Sequence, residues 1–156
     1  MSVAVEIVDQ TGLGQIEGPV SELAKAVLEM EGVQGAAVVA FVDEEAMIRL
    51  NGRYRGLEEA TDVLAFRYAD DEAGWPDREA SSDLGEVIVC LAVVRRYADE
   101  ERGAASRQLG WTLIHGVLHL VGYDHERDDG QMRGREQELL TRLGHLVEAI
   151  SLRGDR

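Results

Sequence analysis

The chain has 156 residues but only one cysteine, two prolines and four histidines, with aromatic residues at 5%. A single cysteine excludes an intramolecular disulfide framework and fits a reducing compartment. Its setting, "EVIVCLAVV", is apolar, so Cys90 reads as a buried core residue rather than a nucleophile. No apolar run approaches the roughly 20 residues of a membrane span. The beginning, "MSVAVEIVDQTG", lacks a basic region and carries Glu6 and Asp9, which is not the pattern of a signal peptide. A soluble, cytoplasmic protein with no membrane partner is expected. Internal repeats and low-complexity tracts are also missing. Basic residues are scarce: 16 Lys and Arg face 30 Asp and Glu, a net charge of −14. Taken alone, that balance counts against nucleic acid and anionic membranes as partners. Its distribution softens the exclusion. Residues 102–123 contain Arg102 and Arg107 and no acid, and residues 49–67 set Arg49, Arg53, Arg55 and Arg67 against Glu58, Glu59 and Asp62.

What is present is the composition of a globular domain, 45% hydrophobic and 29% charged. The length suits one domain spanning 1–156 with a core of its own. "VAVEIVD" (3–9) alternates like a half-buried strand. In "GPVSELAKAVLEMEG", Pro19 marks a helix start, and Val20, Leu23, Ala24, Val27 and Leu28 share one face. "GAAVVAFVD" (35–43) is a β-rich run. Asp43 then caps a helix that turns Met47, Ile48 and Leu50 inward. "TDVLAFRYA" (61–69) reads as a strand, the Gly- and Pro-containing acidic segment 70–82 as a surface loop, and "GEVIVCLAVV" as a strand running into a helix. A long helix spans about Ala104 to Val121. The tail reads as one amphipathic helix turning Met132, Leu139, Leu140, Leu143 and Leu146 or Val147 to the body. The order β-α-β-α-β-β-α-α-α predicts an α+β (mixed α/β) fold, with about four strands in one small mixed sheet and about five helices against it.

Three of the four histidines fall within "HGVLHLVGYDH", His115 to His125. Residues four apart on a helix lie ~40° from each other, so His115 and His119 project from one face, the spacing with which two imidazoles grip a cation. On a continuing helix His125 would lie ~15 Å along the axis from His115. The helix must therefore stop, and Gly122 lies where a left-handed residue can end it. A lone histidine on an apolar helix is ordinarily a core residue, but a pair with a third beyond a glycine points to a metal. Three histidines plus water make a catalytic zinc site, here on a zincin-like helix. Zinc peptidases of this helix type place Glu beside the first histidine as general base. Gly116 stands there instead, which weakens that reading. Asp124 reads as a turn former, with ligand orientation as the alternative, and His145 as a helix-surface or capping residue.

"HGVLHLVGYDH" resembles the signature of the YbeY family of metal-dependent endoribonucleases, H-G-x-L-H-L-x-G-Y-D-H. "LNGRYRGLEEATDVLAF" and "LGEVIVC" resemble two further family segments, in the same order and in a chain of similar length. The resemblance implies one Zn2+ held by His115, His119 and His125 plus water, and a catalytic role for Arg55 in RNA cleavage. It also implies single-strand-preferring cleavage in rRNA processing, at the 16S 3′ end, and in ribosome quality control. Implied partners are rRNA precursor, the ribosomal particle and ribosome-assembly proteins. The departures are Ala65 for serine, Arg67 for proline and Glu86 for aspartate, none at a ligand. Independently, the Arg55 guanidinium could hold a phosphate bidentately; it could equally be a solvated arginine paired with Glu58 or Glu59. Tyr54 reads as packing rather than base stacking. Two alternatives stay open: a zinc metallopeptidase lacking its usual base, and a non-catalytic zinc-containing ribosome-assembly factor. The oligomeric state is open, with a monomer the simplest reading.

Overall fold

A computed structural model describes residues 3–12, 14–68, 83–124, 126–150 and 152. Among these, four strands form one sheet: β1 (Val3–Asp9), β2 (Gly35–Phe41), β3 (Val63–Arg67) and β4 (Asp83–Val89). The spatial order is β1-β2-β4-β3, with β1, β2 and β4 parallel and β3 antiparallel at the edge. The helices are α1 (Glu17–Met30), α2 (Glu44–Arg55), α3 (Leu91–Glu100), α4 (Ala105–Leu120), α5 (Gln131–Arg142) and α6 (Gly144–Glu148). The mixed sheet and α+β class match the expectation from the sequence. No helix among the described residues is long and apolar enough to cross a membrane. The acidic segment expected to be a loop lies, apart from its neighbours, outside the described residues.

Pleating sorts the strand residues between two apolar layers. Ala37, Val39, Phe41, Val87 and Val89 face one side, where α1 and α4 bring Leu23, Val27, Leu113, Val117 and Leu118 into the main core. Leu64, Ile88 and Cys90 belong to a smaller cluster with Val42, Met47 and Val93, contributed around α2 and α3. α4 is the hub, packing on β3, β4, α1, α3, α5 and α6. Cys90 is fully buried, and burial pushes its thiol above the ordinary range, which suits a core residue and not a nucleophile.

Asp43 caps α2 as its sequence position predicts, accepting the Ala46 amide at 2.8 Å. The inward face of that helix is a correction. Ile48 is 38% exposed, and the buried residues are Met47 and Asn51. Two residues four apart keep one face, whereas Met47 and Ile48 diverge by ~100°. The tail is also two helices rather than one. α5 ends at Arg142, and the chain restarts through a Leu146 amide bond to the Leu143 carbonyl. The break lets Leu143, Val147 and Ile150 all reach the core, and of the paired alternatives Val147, not Leu146, is the buried one.

Truncating Leu113→Ala should cost about 2–5 kcal/mol of unfolding free energy. Ile48→Ala should stay within about 0.5 kcal/mol, because it removes an exposed side chain. Urea titration of the two variants side by side measures the difference, and equal losses would contradict the assignment of the inner face of α2.

Candidate metal and RNA-cleavage site

α4 shows its neighbours an almost continuously apolar surface. The partly open stripe along it runs through Gln108, Trp111, His115 and His119. The phase of that stripe is set one residue away. An added Cβ on Gly116 would lie 2.6 Å from Val87 Cγ1 and 3.3 Å from Val63 Cγ2, so the helix backbone presses directly on the sheet there. With residue 116 turned to the sheet, residues 115 and 119 point ~100° and ~60° away from it, to the same side, along the flank. Their rings lie 4.8 Å apart between centroids and are nearly perpendicular. The position that carries Glu in zinc peptidases therefore has no room for any side chain. The base is not merely missing; it is sterically refused.

The predicted stop at Gly122 is present in full. Gly122 adopts φ 109°, and its amide bonds the His119 carbonyl at 3.1 Å while the Tyr123 amide bonds the Leu118 carbonyl at 3.1 Å. Both bonds of a Schellman ending are made. The Arg67 guanidinium reaches the same helix end, its Nε donating to the Leu120 carbonyl at 3.2 Å. Asp124 then forms a turn, accepting the Glu126 amide at 3.0 Å, and its carbonyl accepts the Arg127 amide. Asp128 caps the start of α5 through the Gly130 and Met132 amides. His125, the third expected ligand, lies outside the described residues. His145 is exposed on α6, as its sequence position suggests.

A cleft of about 710 Å³ gathers His115 and His119 with Arg55, Arg67, Tyr54 and Asp124. Arg55 reaches its wall as the last residue of α2. The Asn51 amide, buried one turn earlier, donates to the Glu59 carbonyl at 2.9 Å and pins the segment that follows. Among the described residues no carboxylate forms an ion pair with Arg55 at the α2 end, so the expected alternative pairing with Glu58 or Glu59 is not made. Tyr54 packs against Phe66 at 4.8 Å, as expected, yet is 55% exposed beside the cleft.

The sequence reading missed Glu136. This α5 residue is 4% exposed, and both its oxygens are engaged: Oε1 lies 2.6 Å from His115 Nδ1, and Oε2 accepts the Trp111 indole N–H at 2.9 Å. Trp111 also stacks on His115 at 5.2 Å. The signal was present: "QMRGREQELL" puts a glutamate between Met132 and Leu139 on the inner face, where spacing calls for an apolar residue. Imidazoles one turn apart, one backed by a carboxylate, form a donor set suited to a divalent transition metal.

Burial raises the Asp62 carboxyl above the ordinary range, opposed by the Thr61 hydroxyl, the Val63 amide and, last, the His115 ring. A raised native value means that the folded chain holds this proton more tightly than the unfolded one. Its favourable contribution is complete below the unfolded value and disappears as pH climbs through the native value. Asp62→Asn, compared with wild type by urea midpoint, should therefore be relatively more stable at pH 7 than at pH 4. A pH-independent difference would contradict the burial effect. Two glycines supply a second test. Gly122→Ala should cost about 1–2 kcal/mol through its left-handed backbone, and Gly116→Ala about 1–3 kcal/mol through overpacking. Thermal unfolding measures both.

The model of the family described as Endoribonuclease YbeY matches residues 7–144. A protein named Endoribonuclease YbeY from a Roseiflexus species is 38% identical over 133 residues, covering 80% of this chain and 82% of its own. One of the same name from Bacillus subtilis is 32% identical over 160 residues, covering 98% and 99%. The solution structure of TM1509 from Thermotoga maritima superposes with a TM-score of 0.66 at 25% identity, over 97% of this chain and 99% of that one. The chain belongs to the YbeY endoribonuclease family.

Proposed function

We propose that this chain is a zinc-dependent endoribonuclease that prefers single-stranded RNA and acts in ribosomal RNA processing, at the 3′ end of 16S rRNA and in ribosome quality control. The observation that carries the reading is one cleft wall shared by His115, His119 and Arg55, in a chain whose family model and relatives bear the endoribonuclease name. His115, His119 and His125 would hold the metal. Bound zinc would supply Lewis acidity at a phosphoryl oxygen and a water of pKa near ~7.

The chain's own groups do the rest. Arg55 ends α2 at the cleft and offers a planar fork of donors, which matches two non-bridging phosphate oxygens and the charge that grows on them during cleavage. Arg67 is tied to the end of α4 and adds a second positive group to the same wall. The half-exposed Tyr54 ring, backed by Phe66, gives a base or sugar an apolar surface to rest on. The peptidase alternative, supported by the histidine spacing, is opposed by Gly116, which leaves no space for the glutamate base of that class.

Wild type, Arg55→Ala and His119→Ala, purified in parallel, test this reading on single-stranded RNA and on rRNA precursor, with bound metal measured for each. His119→Ala should lose stoichiometric zinc and cleavage together. Arg55→Ala should keep zinc and cleave about 10²–10³-fold more slowly, the usual effect of deleting one transition-state donor. Undiminished cleavage by Arg55→Ala would mark a non-catalytic zinc protein contaminated by another nuclease.

A further inference from the structure

We infer that Glu136, itself held by Trp111, is a positioning residue that locks His115 in the tautomer whose Nε2 is unprotonated, so that its lone pair is presented to the cleft. The inference rests on the reading of His115 as a metal ligand but has a test independent of the metal. It starts from an inventory of donors and acceptors. An indole N–H can only donate, and a carboxylate can only accept. Trp111 therefore commits Oε2, and Oε1 faces His115 Nδ1 at 2.6 Å. Nδ1 must carry hydrogen, because two acceptors at that distance, in a site where Glu136 is 4% exposed, would repel without water to relieve them. In a neutral imidazole the other nitrogen is then the lone-pair site.

His115 itself suits the arrangement. It lies between two clefts: the one shared with His119, and a second one, on the Glu136 side, lined by Trp111, Arg107 and Arg133. The carboxylate grips the ring from this second side. Stacking of Trp111 on the imidazole at 5.2 Å limits rotation about the side chain. Indole, carboxylate and imidazole thus form a chain running from α4 to α5 and back to α4, with each hydrogen-bonding direction fixed by the only partner that cannot change, the indole.

That last point makes the inference separable from a structural role. Glu136→Gln keeps size and shape but offers one acceptor and one donor to two donors. The indole cannot adapt, so the amide oxygen turns to Trp111, the NH2 faces His115, and the ring switches to the tautomer with hydrogen on Nε2. Trp111→Phe keeps the stacked ring and removes the N–H. In the double variant no indole N–H claims the amide oxygen, which can turn back to Nδ1–H with the NH2 left toward the Phe ring.

Long-range 1H–15N spectra of metal-free protein, at a pH where imidazole is neutral, should show His115 protonated at Nδ1 in wild type and at Nε2 in Glu136→Gln. Zinc affinity, measured by chelator competition, should fall about 10–100-fold in Glu136→Gln, remain near wild type in Trp111→Phe, and recover most of the loss in the double variant. Wild type protonated at Nε2 overturns the inference whatever the variants do. So does a double variant that binds zinc no better than Glu136→Gln, since that is the pattern of plain structural damage. If wild type shows Nδ1–H, Glu136→Gln shows Nε2–H and neither binds zinc, the tautomer lock stands and the metal reading of the site fails.

Discussion

The close approach of α4 to β4 is the constraint on which the rest depends. Where a Cβ on residue 116 would come within 2.6 Å of Val87, only hydrogen fits, and the rotational phase of the helix is fixed. A helix turned by one residue would bury one histidine against the sheet and drive a valine or leucine into the cleft. Held as it is, α4 points Leu113, Val117 and Leu118 into the core and leaves His115 and His119 on the flank between β3 and α5. The same contact that stabilises the fold therefore selects the chemistry available to it. It supplies imidazoles and excludes the glutamate that peptidases of similar spacing need.

Glu136 shows a different kind of constraint. Taking a carboxylate out of water costs several kcal/mol unless its hydrogen bonds are replaced, and even a well-paired buried charge adds little net stability over an apolar residue of similar size. Leucine at position 136 would continue the pattern of Met132 and Leu139 without that cost. A glutamate at a core position, with the Trp111 indole donating to one oxygen and His115 Nδ1 2.6 Å from the other, is thus hard to explain as packing. It makes sense as support for a histidine whose orientation matters.

Local signals were readable where one residue's own physics decides the outcome. The alternation in Val3–Asp9, the Asp43 cap, the five apolar positions of α1 and the glycine after α4 each depend on neighbours within a turn, and each is found in place. Ile48 and the single tail helix were misread because periodicity ranks faces only approximately. Asn51, a polar residue, took the inner position that an apolar count assigned to Ile48, and the break at Leu143 is one that amphipathicity alone does not register. Glu136 was missed for a third reason. Its partners are 21 and 25 residues away in sequence, so only tertiary packing reveals that the polar residue on an apolar face has company. Arg55 belongs to the same class: its charge is plain in the sequence, while its place on the wall with His115 and His119 depends on how the end of α2 meets β3, where Tyr54 packs on Phe66.

The acidity of the chain and an RNA substrate are less opposed than the net charge of −14 suggests. At physiological ionic strength exposed charges are screened beyond about 8 Å. A strand seated in the cleft feels chiefly what lines it, and there Arg55, Arg67 and Arg127 stand with Asp124 and Glu126. Arg127 is partly spent on Asp124 at 3.5 Å, and Arg67 is committed in part to the Leu120 carbonyl, so Arg55 contributes the least encumbered charge. Outside the cleft, within that screening length, the acidic surface disfavours polyanions, which lowers the affinity for RNA in general without weakening contacts inside the cleft.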